Sequence, residues 1–150
     1  MKLIAKFLVN YFFLNLIAII LALSLHEIGH ALIASAFGCK AKAVIYDSSS
    51  NFPYTEVACT KLNPLIYLSG FLFTILASIL LLLSEEDALK NLGLIILGLS
   101  FSLSSADFQI IFGGLFSHLF FVLSFPSIFF TEIFVVENLI NTITNHFKNV

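Results

Sequence analysis

Charge is scarce in this chain. Only 11% of its 150 residues are charged, every one of its seven cations is lysine, and the net charge is −2. Without a basic excess there is no electrostatic footprint for nucleic acid, which argues against that class of partner. Cysteine is nearly missing too. Cys39 and Cys59 are the only two, and their spacing suggests no zinc knuckle. Both fall in one loop, where a disulfide is open to them if the loop is extracellular and two free thiols if it faces the cytosol. Tryptophan is absent, and neither an internal repeat nor a low-complexity linker interrupts the chain.

What is present is apolar. Hydrophobic residues make up 59% of the chain, 18 of them phenylalanine, and the mean hydropathy is +1.04. A soluble domain of this size has no use for so much apolar surface. The composition predicts a multi-pass integral membrane protein whose partner is the lipid bilayer. The length suits one domain of about four spans. The expected spans are 7–37, 64–84, 91–112 and 115–136, with Pro126 kinking the last. The N-terminal apolar stretch, Phe7 to Leu25, exceeds a signal-peptide core, so it is read as a retained span.

Inside the first span stands His26-Glu27-Ile28-Gly29-His30. Residues four apart share a helix face, so both imidazoles can reach one ion, and neutral histidine nitrogens suit Zn²⁺. Glu27, one residue after the first ligand, is placed to take a proton from a metal-activated water. Titratable groups at bilayer depth are costly, and by default they point to function.

Between the first and second spans the pattern changes from helical to alternating. Lys40 to Tyr46 and Thr55 to Thr60 read as strands, and Asp47 to Pro53 is rich in turn residues. A β-hairpin over about 40–61 is expected. It is either a plain connection or a free strand edge able to pair with an extended peptide. Residues 137–150 read as an interfacial helix with a solvated His146.

Catalytic zinc sites usually take three protein ligands and keep one position open. Depth along the spans ranks the candidates for the third. At 1.5 Å per helical residue the motif lies roughly 15 Å from the far end of span one, and Asp107 about 9 Å from the matching end of span three. Asp47 and Glu56 belong to the hairpin. Glu85, Glu86 and Asp87 form a solvated turn, and Glu132 and Glu137 lie toward the opposite side. Asp107 is therefore the expected third ligand. Ser100 and Ser104 share its face, either lining a polar path or bonding between helices. His118 is a substitute ligand, an oxyanion donor or an interfacial histidine. The small residues Gly29 on span one and Gly70, Thr74 and Ser78 on span two read as generic close packing.

His26-Glu27-Ile28-Gly29-His30-Ala31-Leu32, the following Ala36-Phe37-Gly38 and the strand-like run resemble the site-2 protease family of intramembrane zinc metalloproteases. The similarity of order covers roughly residues 10 to 115. The family's third-ligand stretch usually reads N-x-x-P-x-x-x-L-D-G. Here Leu99 to Phe108 keeps the Asp and lacks the Asn, Pro and Gly. On the intervening helix, Leu68 to Thr74 keeps only Gly70. The resemblance implies a minimal, divergent member.

The resemblance implies an all-α bundle with a hairpin between helices one and two. It implies one Zn²⁺ per chain on His26, His30 and Asp107, with Glu27 as general base. The expected activity is that of a zinc-dependent membrane endopeptidase acting on a membrane protein or peptide. A metal transporter or sensor, and an inactive adaptor that binds membrane segments, are the other classes. Lysines divide four against three between the two sides, which sets no orientation. The resemblance implies a site nearer the cytosolic face.

Overall fold

The computed structural model describes residues 2–46, 53–59 and 63–113, and in the last quarter 122, 128–129, 131–138, 140–141 and 144. The element order is α1 (Lys2–Ala36), β1 (Lys40–Val44), β2 (Tyr54–Ala58), α2 (Pro64–Leu82), α3 (Asp87–Leu103) and α4 (Ser105–Phe112). Among the described residues these are four helices and one antiparallel hairpin. Three stretches are long and apolar enough to cross a membrane: Leu8–Ala36, Pro64–Leu82 and Asp87–Phe112. The expected fourth span and the tail fall largely outside the described residues, though 131–138 are helical. Pro126, His118 and His146 lie outside them altogether.

Local chemistry explains the boundaries. α1 ends where Gly38 takes φ 77°, a conformation only glycine adopts freely. Cys39 N–H donates to Ala34 O and Gly38 N–H to Ser35 O, the paired bonds of a Schellman cap. α2 begins at Asn63, whose side chain accepts from Leu65 N–H at 3.0 Å, with Pro64 in the first helical position. Gly113, at φ 80°, closes α4.

The third span is not one unbroken helix. It breaks at Ser104, between α3 and α4. The cause is a serine-rich stretch whose hydroxyls compete for the backbone. Ser100 Oγ donates to Ile96 O at 2.7 Å, and Ser105 Oγ donates to Ser102 O at 2.8 Å. Such back-bonding loosens and bends a helix. Ser100 thus spends its hydroxyl proton within its own helix rather than in a bond between helices.

The hairpin pairs Lys40↔Ala58 through Val44↔Tyr54. Lys42 faces Glu56 across it, opposite charges in opposite positions. A disulfide joins Cys39 to Cys59 just outside the first pair, so the bonded alternative is the one observed.

Packing is inside-out by the standards of a water-soluble helix. The buried stripe of α2 comprises Ile66, Ser69, Gly70, Thr74 and Ser78, while Leu72, Leu76 and Leu80 are exposed. α1 and α3 meet through Ala18 and Ala22 against Leu92, Ile95 and Ile96. Ser78 Oγ reaches across to Gly93 O at 2.7 Å. There α2 passes so close to α3 that a Cβ on Gly93 would lie 3.0 Å from Ser78 O.

Candidate metal centre

His26 and His30 are both buried on the face of α1 that meets α2. They can sit there because α2 presents glycine. A Cβ on Gly70 would fall 2.5 Å from His30 Nε2 and 2.8 Å from His26 Cε1. Gly29, between the two histidines, is equally close-fitted, since its Cβ would lie 2.8 Å from Ser69 O. The two glycines let the helix backbones approach until the imidazoles fill the gap between them. The rings stand edge to face, with centroids 4.6 Å apart at 90°.

Asp107, in the first turn of α4, completes the cluster. Its Oδ2 lies 2.9 Å from His26 Nε2 and 3.2 Å from His30 Nε2, and the two Nε2 atoms are 3.0 Å apart. α4 is held in position by aromatic packing. Phe108 and Phe101 each meet Phe71 of α2 edge-on, at centroid distances of 5.3 and 5.4 Å. The expected ligands are thus brought together from two helices, α1 and α4, and His26, His30 and Asp107 form a group able to hold a metal ion.

The donor chemistry fits a zinc ion. Ligand atoms about 2.0–2.1 Å from a tetrahedral ion stand about 3.3 Å from one another. The three observed separations fall just inside that value. Ser69 Oγ donates to Ile66 O, and His30 Nδ1 lies 2.6 Å from the same carbonyl, a contact that requires the proton to sit on Nδ1. This bond fixes the tautomer and leaves the Nε2 lone pair facing the cluster. Two imidazole nitrogens and a carboxylate oxygen converging in this way can present electron pairs to one point, the arrangement a cation would fill.

Glu27 lines the same cavity of about 400 Å³, with His26, His30 and Asp107. β2 forms one wall through Tyr54, Thr55 and Val57. Thr55 Oγ1 lies 2.6 Å from Glu27 Oε2 and 2.9 Å from Glu27 O, pinning the strand to the motif helix. No local sequence pattern marks Thr55 as a site residue. Gly70, expected to serve generic close packing, instead abuts both histidines. Its one signal in the sequence is the resemblance, since it is the residue kept there of the site-2 protease motif. The polar stripe also differs from expectation. Ser100 and Ser104 are fully buried, Ser100 bonds within its own helix, and neither lines the cavity.

Comparison with protein-family models, with curated proteins and with solved structures finds no match. Any functional reading rests on the geometry and chemistry above.

Proposed function

We propose that this chain is an intramembrane zinc metalloprotease, hydrolysing a peptide bond in or beside a membrane-spanning substrate. One observation carries the reading. Three ligand atoms of the zinc-binding kind converge beside a glutamate, in a cavity walled by a β-strand. Membrane residence is supported by the inverted packing of α2, whose small polar residues face its neighbours and whose leucines face out.

His26, His30 and Asp107 would hold the ion. Zinc there supplies Lewis acidity, lowering the pKa of water toward neutrality and stabilising developing negative charge on the substrate carbonyl oxygen. Glu27 accepts the proton of the attacking water and then delivers it to the departing amine nitrogen. A transmembrane helix hides its carbonyls in hydrogen bonds, so the substrate must unwind before attack. The edge of β2 away from β1 pairs with no strand among the described residues. Adding a substrate strand to that edge offsets part of the lost helix bonding and lays the peptide along the cavity. A transporter would need a polar path through the helices. Instead Thr74 and Ser100 bond to carbonyls of their own helices.

The test is cleavage of a single-span peptide with helix-breaking residues, in liposomes, with zinc and with chelator. The wild type is expected to cleave it only when zinc is present. Glu27→Gln is expected to keep one zinc per chain and lose cleavage by roughly 100-fold or more. Normal cleavage by Glu27→Gln would sink the general-base role, and chelator-resistant cleavage would sink the metal.

A further inference from the structure

We propose that Thr55 is the positioning residue for the Glu27 carboxylate, so that the hairpin acts as part of the catalytic apparatus as well as its wall. The proposal rests on the protease reading and adds to it a residue outside the zinc motif.

Thr55 Oγ1 has one proton to give and two acceptors in reach, Glu27 Oε2 at 2.6 Å and Glu27 O at 2.9 Å. An ionised carboxylate is the stronger acceptor, and its hydrogen bonds are the shorter ones. With Oε2 engaged, Oε1 is the oxygen left to receive a proton. A free glutamate has three side-chain torsions to fix, and a general base must hold its place to within a fraction of an ångström. Thr55 is well suited to impose that order. Its β-branch restricts χ1 on a strand. The strand is tied down at Ala43↔Thr55 by the ladder, and beyond the ladder's first pair by Cys39–Cys59.

The same strand borders the cavity on the substrate side through Val57, two residues on and on the same face of β2. A peptide seated against β2 therefore presses on the element that aims the base. Docking and proton transfer are coupled through one hydroxyl.

Two variants test this. Thr55→Val keeps the shape and deletes the hydroxyl, and Thr55→Ser restores it. With the model peptide in liposomes, Thr55→Val is expected to lower kcat by roughly 10- to 100-fold, with KM within about twofold and zinc content unchanged. Thr55→Ser is expected to recover most of the loss. A merely structural role would raise KM and leave kcat within about twofold.

A second readout needs neither metal nor turnover. In chelator-treated protein the Tm loss of Thr55→Val combined with Glu27→Ala should be smaller than the sum of the single losses, because both remove one bond. Additive losses, or a Thr55→Val enzyme as fast as wild type, overturn the proposal and leave the protease reading standing. A wild type that cleaves nothing overturns the protease reading, and this role with it.

Discussion

At the scale of single residues, the site divides by how each member announces itself. His26, Glu27 and His30 are legible because one helical turn holds all three, and the turn's periodicity states their geometry. Asp107 is distant along the chain, and counting depth at 1.5 Å per residue is what reached it. Gly70 and Thr55 are different. Gly70 matters for what it lacks, and only the neighbouring histidines reveal that. Thr55 matters because of how a hairpin leans on a helix, which no local pattern encodes. Gly70→Ala should displace the imidazoles and weaken zinc binding by roughly 10- to 100-fold, as measured by competition with a chromophoric chelator. Helicity by circular dichroism should be unchanged. Asp107→Ala should abolish stoichiometric zinc under the same competition, because two histidines alone leave the ion short of a protein ligand.

At the scale of elements, apolar runs and punctuation carried most of the fold. Gly38, Pro64 and Gly113 mark boundaries because their backbone chemistry leaves little choice. The break at Ser104 was not foreseen. A 22-residue apolar stretch outweighs serines in any hydropathy reading, and side-chain competition for carbonyls is visible only once the hydroxyls are placed. The hairpin was foreseen from alternation, but its closure was not, since two cysteines in a loop leave bonding open. The disulfide spans a sequence separation of 20, and a loop of that size stabilises by about 3 kcal/mol through the unfolded chain. Cys39→Ser/Cys59→Ser is expected to lower the thermal midpoint and to slow cleavage, because the strand carrying Thr55 loses its tether. Unfolding scans and peptide cleavage, with and without reductant, read both effects.

At the scale of the whole molecule, the disulfide bears on which way the bundle faces. Disulfides persist on the oxidising side of a membrane, so the hairpin end of α1 is expected there. That is opposite to the orientation the family resemblance implies. Cys39 and Cys59 are the only cysteines, which makes the check clean. In intact cells, a membrane-impermeant maleimide should label the chain only after a reductant is added. Labelling that requires cell lysis would instead place the hairpin inside.

The glycine opposite the two histidines has one more consequence, for finding other chains of this kind. Overall similarity between short apolar sequences is a poor guide, since leucine-rich helices resemble one another for reasons of solvent alone. The crossing of α1 and α2 supplies a sharper filter. Any chain that builds this centre needs H-E-x-x-H on one span, a residue without a side chain facing it on the next, and a carboxylate one span further on. A candidate with alanine or anything larger at the second point must push the rings aside and hold the ion more weakly, however well the rest aligns. Three sparse positions, read together with the helix order, describe the site more selectively than the residues between them.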